Sequence, residues 1–128
     1  MYFMKITKNR FARYSLKSHL VFITKKRQKI FTPDHLIFLQ KVMQETISEM
    51  GGSLEEFSGG EEFVHLLISY PPKWSISDIV NNLKARSSRL IRRDLLIGDS
   101  SDSLWYQYYL ALSVGEFDEA IIKKFITK

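Results

Sequence analysis

Apolar residues along this chain recur at two different spacings, and each change of spacing marks a new element. From Ser15 to Thr24 the run SLKSHLVFIT is β-branched and aromatic, which predicts a strand, with a basic turn at Lys25–Lys29 behind it. Thr32 precedes Pro33, a favoured first helical residue. Leu36, Leu39, Val42, Met43, Ile47 and Met50 then follow at helical spacing. Gly51-Gly52 ends that helix. SLEEFS predicts a short strand, Gly59-Gly60 a turn and EEFVHLLISY a second strand, so the two read as a hairpin. After Pro71-Pro72, Ser75 can cap a second helix whose stripe is Ile76, Ile79, Val80, Leu83, Leu90 and Ile91. GDSSDS reads as a loop and LWYQYYLALSV as a fourth strand. Gly115 separates that strand from a last helix around Asp118–Lys128.

The order β-α-β-β-α-β predicts an α+β, ferredoxin-like fold. It has a four-stranded antiparallel sheet with both helices on one face, plus a C-terminal helix. At 128 residues and 45% hydrophobic content, residues 1–128 fit a single domain with one core. Cysteine is absent, which excludes disulfides and thiolate metal sites. No apolar run approaches the ~20 residues of a membrane span, and the start lacks the apolar core of a signal peptide. The expectation is a soluble cytoplasmic protein.

Charge changes the picture by its placement. Between Met1 and Pro33 lie nine Lys/Arg residues and no acid, and a second basic cluster, KARSSRLIRR, runs from Lys84 to Arg93. Acids gather at Glu45–Glu62 and Asp94–Asp102. Such segregation builds a positive face suited to a polyanion. Lys25, Lys26 and Arg27 are candidate nucleic-acid contacts, as is Lys84. Arg86, Arg89 and Arg93 fall on one flank of the second helix, where they could reach a common phosphate backbone.

The candidate chemistry centres on His65, set inside an apolar strand. Alone, such a histidine reads as a core residue with a satisfied ring nitrogen. His19 lies on the neighbouring first strand, where it could approach the site or have a hydrogen-bonding or simple surface role. Glu61 shares the strand face of Phe63 and His65 and could add a carboxylate, while His35 reads as a surface residue. Tyr106, Tyr108 and Tyr109 suit strand packing or stacking on unpaired bases.

The stretches SHLVFITKKRQKIF, VHLLISYPPKWSISDIVNNLKARSSRLIRR, LWYQYYLALSVG and IIKKF together resemble the small single-tyrosine transposases of short prokaryotic insertion sequences. These belong to the His-hydrophobic-His nuclease class. The resemblance implies a homodimer that binds hairpin single-stranded DNA at element ends. It implies a divalent metal, magnesium or manganese, held by two histidines of one strand and a third ligand from the last helix. It also implies a tyrosine on that helix that attacks the scissile phosphate and forms a 5′-phosphotyrosine.

On those motifs the paired histidines fall at Phe63 and His65, and the tyrosine falls at Phe125. Phenylalanine offers a metal no lone pair and a phosphate no hydroxyl. The third ligand would lie one helical turn beyond Phe125, past Lys128. Phe125 then reads as a helix-packing residue beside Phe117 and Ile121. The expectation is a transposase-family protein that binds hairpin DNA and has lost strand cleavage. A non-catalytic RNA-binding or regulatory domain of the same topology is the alternative.

Overall fold

A computed structural model describes residues 6–97, 103–115 and 119–127. Most of the predicted loop GDSSDS, together with Phe117 and Asp118, lies outside the described residues. The chain opens with a small hairpin, β1 (Thr7–Lys8) and β2 (Arg13–Tyr14), paired antiparallel. Asn9 closes it, its side-chain oxygen accepting from the Phe11 and Ala12 amides at 2.9 and 2.8 Å. The sequence reading had no element here, because a two-residue strand leaves no periodicity to detect.

The main elements follow the expected order. They are β3 (Lys17–Thr24), a 3-10 turn (Lys25–Arg27), α1 (Pro33–Glu49), β4 (Ser53–Gly59), β5 (Phe63–Ser69), α2 (Ile76–Leu95), β6 (Trp105–Ser113) and α3 (Glu119–Ile126). The sheet runs β4-β5-β3-β6 with every pairing antiparallel, which is the predicted ferredoxin-like arrangement.

Local chemistry sets the helix ends. Thr32 and Ser75 each cap a helix by accepting the backbone N–H three residues on, from His35 and Asp78. His35 completes the first box by accepting the Thr32 amide on Nδ1 at 3.0 Å, a capping role that the surface reading of this residue missed. Gly51 takes φ +84° just after α1, a conformation glycine adopts without Cβ strain. A Cβ on Gly52 would sit 2.3 Å from the Ser69 carbonyl, so the start of β4 tolerates no side chain there.

Alternation along β3 and β5 sends Leu20, Phe22, Val64, Leu66 and Ile68 into the core. There they meet Leu39, Met43 and Ile47 of α1 with Ile79, Leu83 and Ile91 of α2. Burying each such side chain contributes about 1.5–3 kcal/mol, so slipping either strand by one residue would exchange core for solvent throughout. That packing fixes what the opposite sheet face displays. Near the start of β6 the ladder is interrupted: Thr24 pairs Trp105 and Phe22 pairs Tyr109, leaving residues 106–108 outside the register.

Candidate nucleic-acid and metal site

The face of the sheet away from α1 and α2 carries His19, Val21 and Ile23 of β3 beside Phe63, His65 and Leu67 of β5. His65 therefore does not lie in the core; it is half-buried on the open face, between the core residues Val64 and Leu66 of its own strand. In the register His65 stands opposite Val21 and His19 opposite Leu67, which makes the two histidines diagonal neighbours. Their rings meet. Nδ1 of His19 and Nε2 of His65 are 3.0 Å apart, with ring centroids separated by 5.1 Å. Alternation alone puts both residues on this face. Their contact depends on cross-strand alignment, which a single sequence does not display.

Phe63 occupies the position two residues before His65 on the same face and is 38% exposed. Glu61 lies just before β5 and is exposed, and its backbone carbonyl accepts the Ile30 and Phe31 amides. Phe125 is on α3 and 60% exposed, with Ile122 and Ile126 exposed beside it. It does not bury its ring within this chain, contrary to the packing role its helical spacing suggested.

The basic candidates divide into two groups. Lys84 turns inward: its ammonium donates to the Tyr106 and Gln107 carbonyls at 2.8 and 3.3 Å, where the β6 ladder is broken. It also lies 5.3 Å from the Tyr109 ring centroid, and burial pushes its pKa down. Arg86 grips both carboxylate oxygens of Glu49 across the α1–α2 seam, with Glu45 at 4.0 Å. The hydrogen bonds and charge of Arg86 hold the Glu49 carboxyl below the usual carboxylate range. These two cations are committed within the fold, a result that helical spacing could not reveal because it places a side chain on a flank without naming its partner.

Lys25 is half-buried, and the other four face outward. Arg89 is exposed, and Arg93 is exposed while pairing with its neighbour Asp94 at 2.6 Å. Lys26 and Arg27 are exposed and hold left-handed backbone, φ 58° and 50°. The turn is tied by the Thr24 hydroxyl, which donates to the Gln28 carbonyl at 2.8 Å, and by the Lys25 amide, which donates to the Leu104 carbonyl. β3 ends where β6 begins, and α2 reaches that same end, its Ser87 hydroxyl accepting from the Trp105 indole at 2.9 Å. The Lys25–Arg27 turn and the last arginines of α2 thus share one end of the sheet.

The family model for IS200-like transposases matches residues 12–128, a span containing His19, Phe63, His65 and Phe125. The chain belongs to that family. It is similar to the ISDra2 transposase TnpA of Deinococcus radiodurans, 27% identical over 129 residues, covering 96% of this chain and 90% of that protein. It is 24% identical to the transposase for insertion sequence element IS200 of Salmonella typhimurium, covering 81% of this chain and 70% of that one. Among solved structures, one assigned as a transposase from Deinococcus radiodurans R1 superposes with a TM-score of 0.76 at 27% identity, covering 94% and 95% of the two chains. A REP-associated tyrosine transposase, solved with a REP hairpin, gives a TM-score of 0.57 at 10% identity over 91% of this chain and 68% of that one, a likeness of fold.

Transposases of this kind are generally metal-dependent. The donor set of this family member falls short of the one the resemblance implies, because Phe63 replaces one of its two histidines. Beside His65 and His19 the open face carries a phenyl ring at Phe63, with the β4 oxygen donors Ser58 opposite His65 and Glu56 opposite Leu67. Among the described residues no group of three or more His, Cys, Asp or Glu converges to hold a metal ion.

Proposed function

We propose that this transposase-family chain is a cytoplasmic homodimer that binds hairpin single-stranded DNA and does not cleave it through a phosphotyrosine. The observation that carries the reading is Phe125. It stands on α3 where the resemblance places the nucleophile, and it has no hydroxyl with which to attack phosphorus. Family membership across residues 12–128 supports a DNA-binding role, and the hairpin held by the REP-associated relative supports the form of the DNA. Lys25, Lys26, Arg27, Arg89 and Arg93 supply the phosphate contacts from one end of the sheet. Lys84 and Arg86 are left to hold the fold together. No helix among the described residues is long and apolar enough to cross a membrane, in keeping with this assignment. We assign no step to magnesium or manganese.

The test uses end-labelled hairpin DNA from the ends of a related insertion sequence, with magnesium or manganese added, and RNA of the same sequence as comparator. The expected outcome is a retarded complex with the DNA and no covalent adduct under denaturing conditions. An adduct would overturn the loss of cleavage, and equal or preferential binding of the RNA would overturn the DNA-binding assignment.

A further inference from the structure

β6 carries three tyrosines, and the fold gives them different tasks. Tyr109 packs: its ring meets Phe22 edge to face, with centroids 6.4 Å apart, and the Lys84 ammonium lies 5.3 Å from its centre. Tyr106 and Tyr108 are turned to solvent, 45% and 66% exposed. Their rings lean on each other, with centroids 5.4 Å apart and planes inclined at 63°. Two adjoining rings left in water gain little for folding, because most of their apolar area is not removed from solvent.

The backbone under this pair is held in place. Between the Phe22–Tyr109 and Thr24–Trp105 pairings the ladder leaves out residues 106–108, and such interruptions re-aim side chains. The Tyr106 and Gln107 carbonyls are taken up instead by the ammonium of Lys84, itself half-buried. Cations stand beside the pair. Trp105, next to Tyr106, pairs with Thr24, which leads directly into the Lys25–Arg27 turn, and the Lys25 amide donates to the Leu104 carbonyl. Lys26 and Arg27 of that turn are exposed. Exposed aromatic faces beside outward cations suit a single strand, whose phosphates meet the charges while its unpaired bases stack on the rings.

We infer that Tyr106 and Tyr108 form a stacking platform for an unpaired base of the bound DNA, next to the phosphate contacts of the Lys25–Arg27 turn. This role rests on the DNA-binding reading and deepens it, by assigning to this end of the sheet a base outside the paired stem. Every base has a π face, so the platform selects for single-strandedness and tolerates changes of sequence. The rings supply the contact and the hydroxyls are dispensable. β6 is an edge strand, which makes a second copy of the chain the rival occupant. The exposed Lys26 and Arg27 favour a polyanion over a copy that carries the same positive charges.

The experiment uses the full chain and a hairpin oligonucleotide with a single-stranded flank, carrying the fluorescent base 2-aminopurine at each unpaired position in turn. Binding should quench the fluorescence at one unpaired position and leave the paired stem unchanged. That measurement on the unsubstituted chain needs no variant to fold. Tyr106→Ala combined with Tyr108→Ala should restore the fluorescence and weaken binding by roughly tenfold or more. The loss should be equal at low and high salt, since a stacked base releases no counterion. Tyr106→Phe combined with Tyr108→Phe keeps both rings and should bind as the unsubstituted chain does. Four results would each overturn the platform: no quenching at any unpaired position, unchanged binding by the alanine variant, a phenylalanine variant as weak as the alanine one, or an alanine variant that sediments as monomer where the unsubstituted chain is a dimer. Each leaves hairpin binding standing wherever the unsubstituted chain still retards the oligonucleotide. A chain that retards no hairpin DNA overturns the DNA-binding reading and the platform with it.

Discussion

Arg86 and Glu49 show how one side chain can be diverted from the role its spacing suggests. The guanidinium and carboxylate are paired across α1 and α2, and Arg86 lowers the carboxyl pKa of Glu49. A folded-state pKa below the unfolded one contributes stability above the ordinary carboxylate range, and that contribution is lost as pH falls through the folded value. Glu49→Gln should therefore lower the thermal midpoint at neutral pH. Its deficit relative to the unsubstituted chain should vanish in strong acid, as thermal unfolding across that range would show. A deficit constant with pH would mean that the pair acts by shape alone. This partnership was hidden in the sequence because Arg86 and Glu49 are distant along the chain and belong to different helices. The meeting of His19 and His65 was hidden for a related reason: alternation assigns a face, and only strand alignment assigns a neighbour. Phe63 and Phe125 needed no structure, since a missing lone pair and a missing hydroxyl can be read from residue identity.

Most elements were readable because each carries enough residues to show a period. α1 and α2 had capping residues, apolar stripes and clear stops, and β3 and β5 had β-branched or aromatic runs. The hairpin of β1 and β2 fell below that length, and the interruption in β6 depends on pairing with β3. The eight-residue helix α3 raises a different matter. Isolated helices shorter than about 12–15 residues are marginal in water, yet Ile122, Phe125 and Ile126 of α3 are 46%, 60% and 73% exposed. A second copy of the chain is the partner that the proposed homodimer supplies. Ile122→Asp combined with Phe125→Asp should convert the dimer to monomer in sedimentation and reduce helical circular dichroism. An unchanged sedimenting mass would mean that α3 takes no part in assembly.

For the molecule as a whole, the organising feature is the division of labour between the two faces and one end of the sheet. One face carries the core, the other the histidine pair, and the end beside the 3-10 turn gathers outward cations. Binding of DNA through that end should be strongly salt-dependent. Arg89→Ala should reduce the slope of log affinity against log salt by about 0.7–0.9, whereas Arg86→Ala should leave the slope nearly unchanged and lower stability instead. Titrations of hairpin DNA at several salt concentrations separate these outcomes, and equal slopes for the two variants would remove the distinction between bound and outward arginines.

The left-handed backbone of Lys26 and Arg27 has a consequence for how the sequence can change. Side chains with a Cβ pay roughly 1–2 kcal/mol in that conformation, and glycine does not. Replacement by glycine would relax the turn and remove a positive charge in the same step. A lineage selected only to stay folded would be expected to drift toward glycine at these two positions. A chain that grips a polyanion through this turn is instead held to lysine and arginine, so the two demands pull these positions toward different residues.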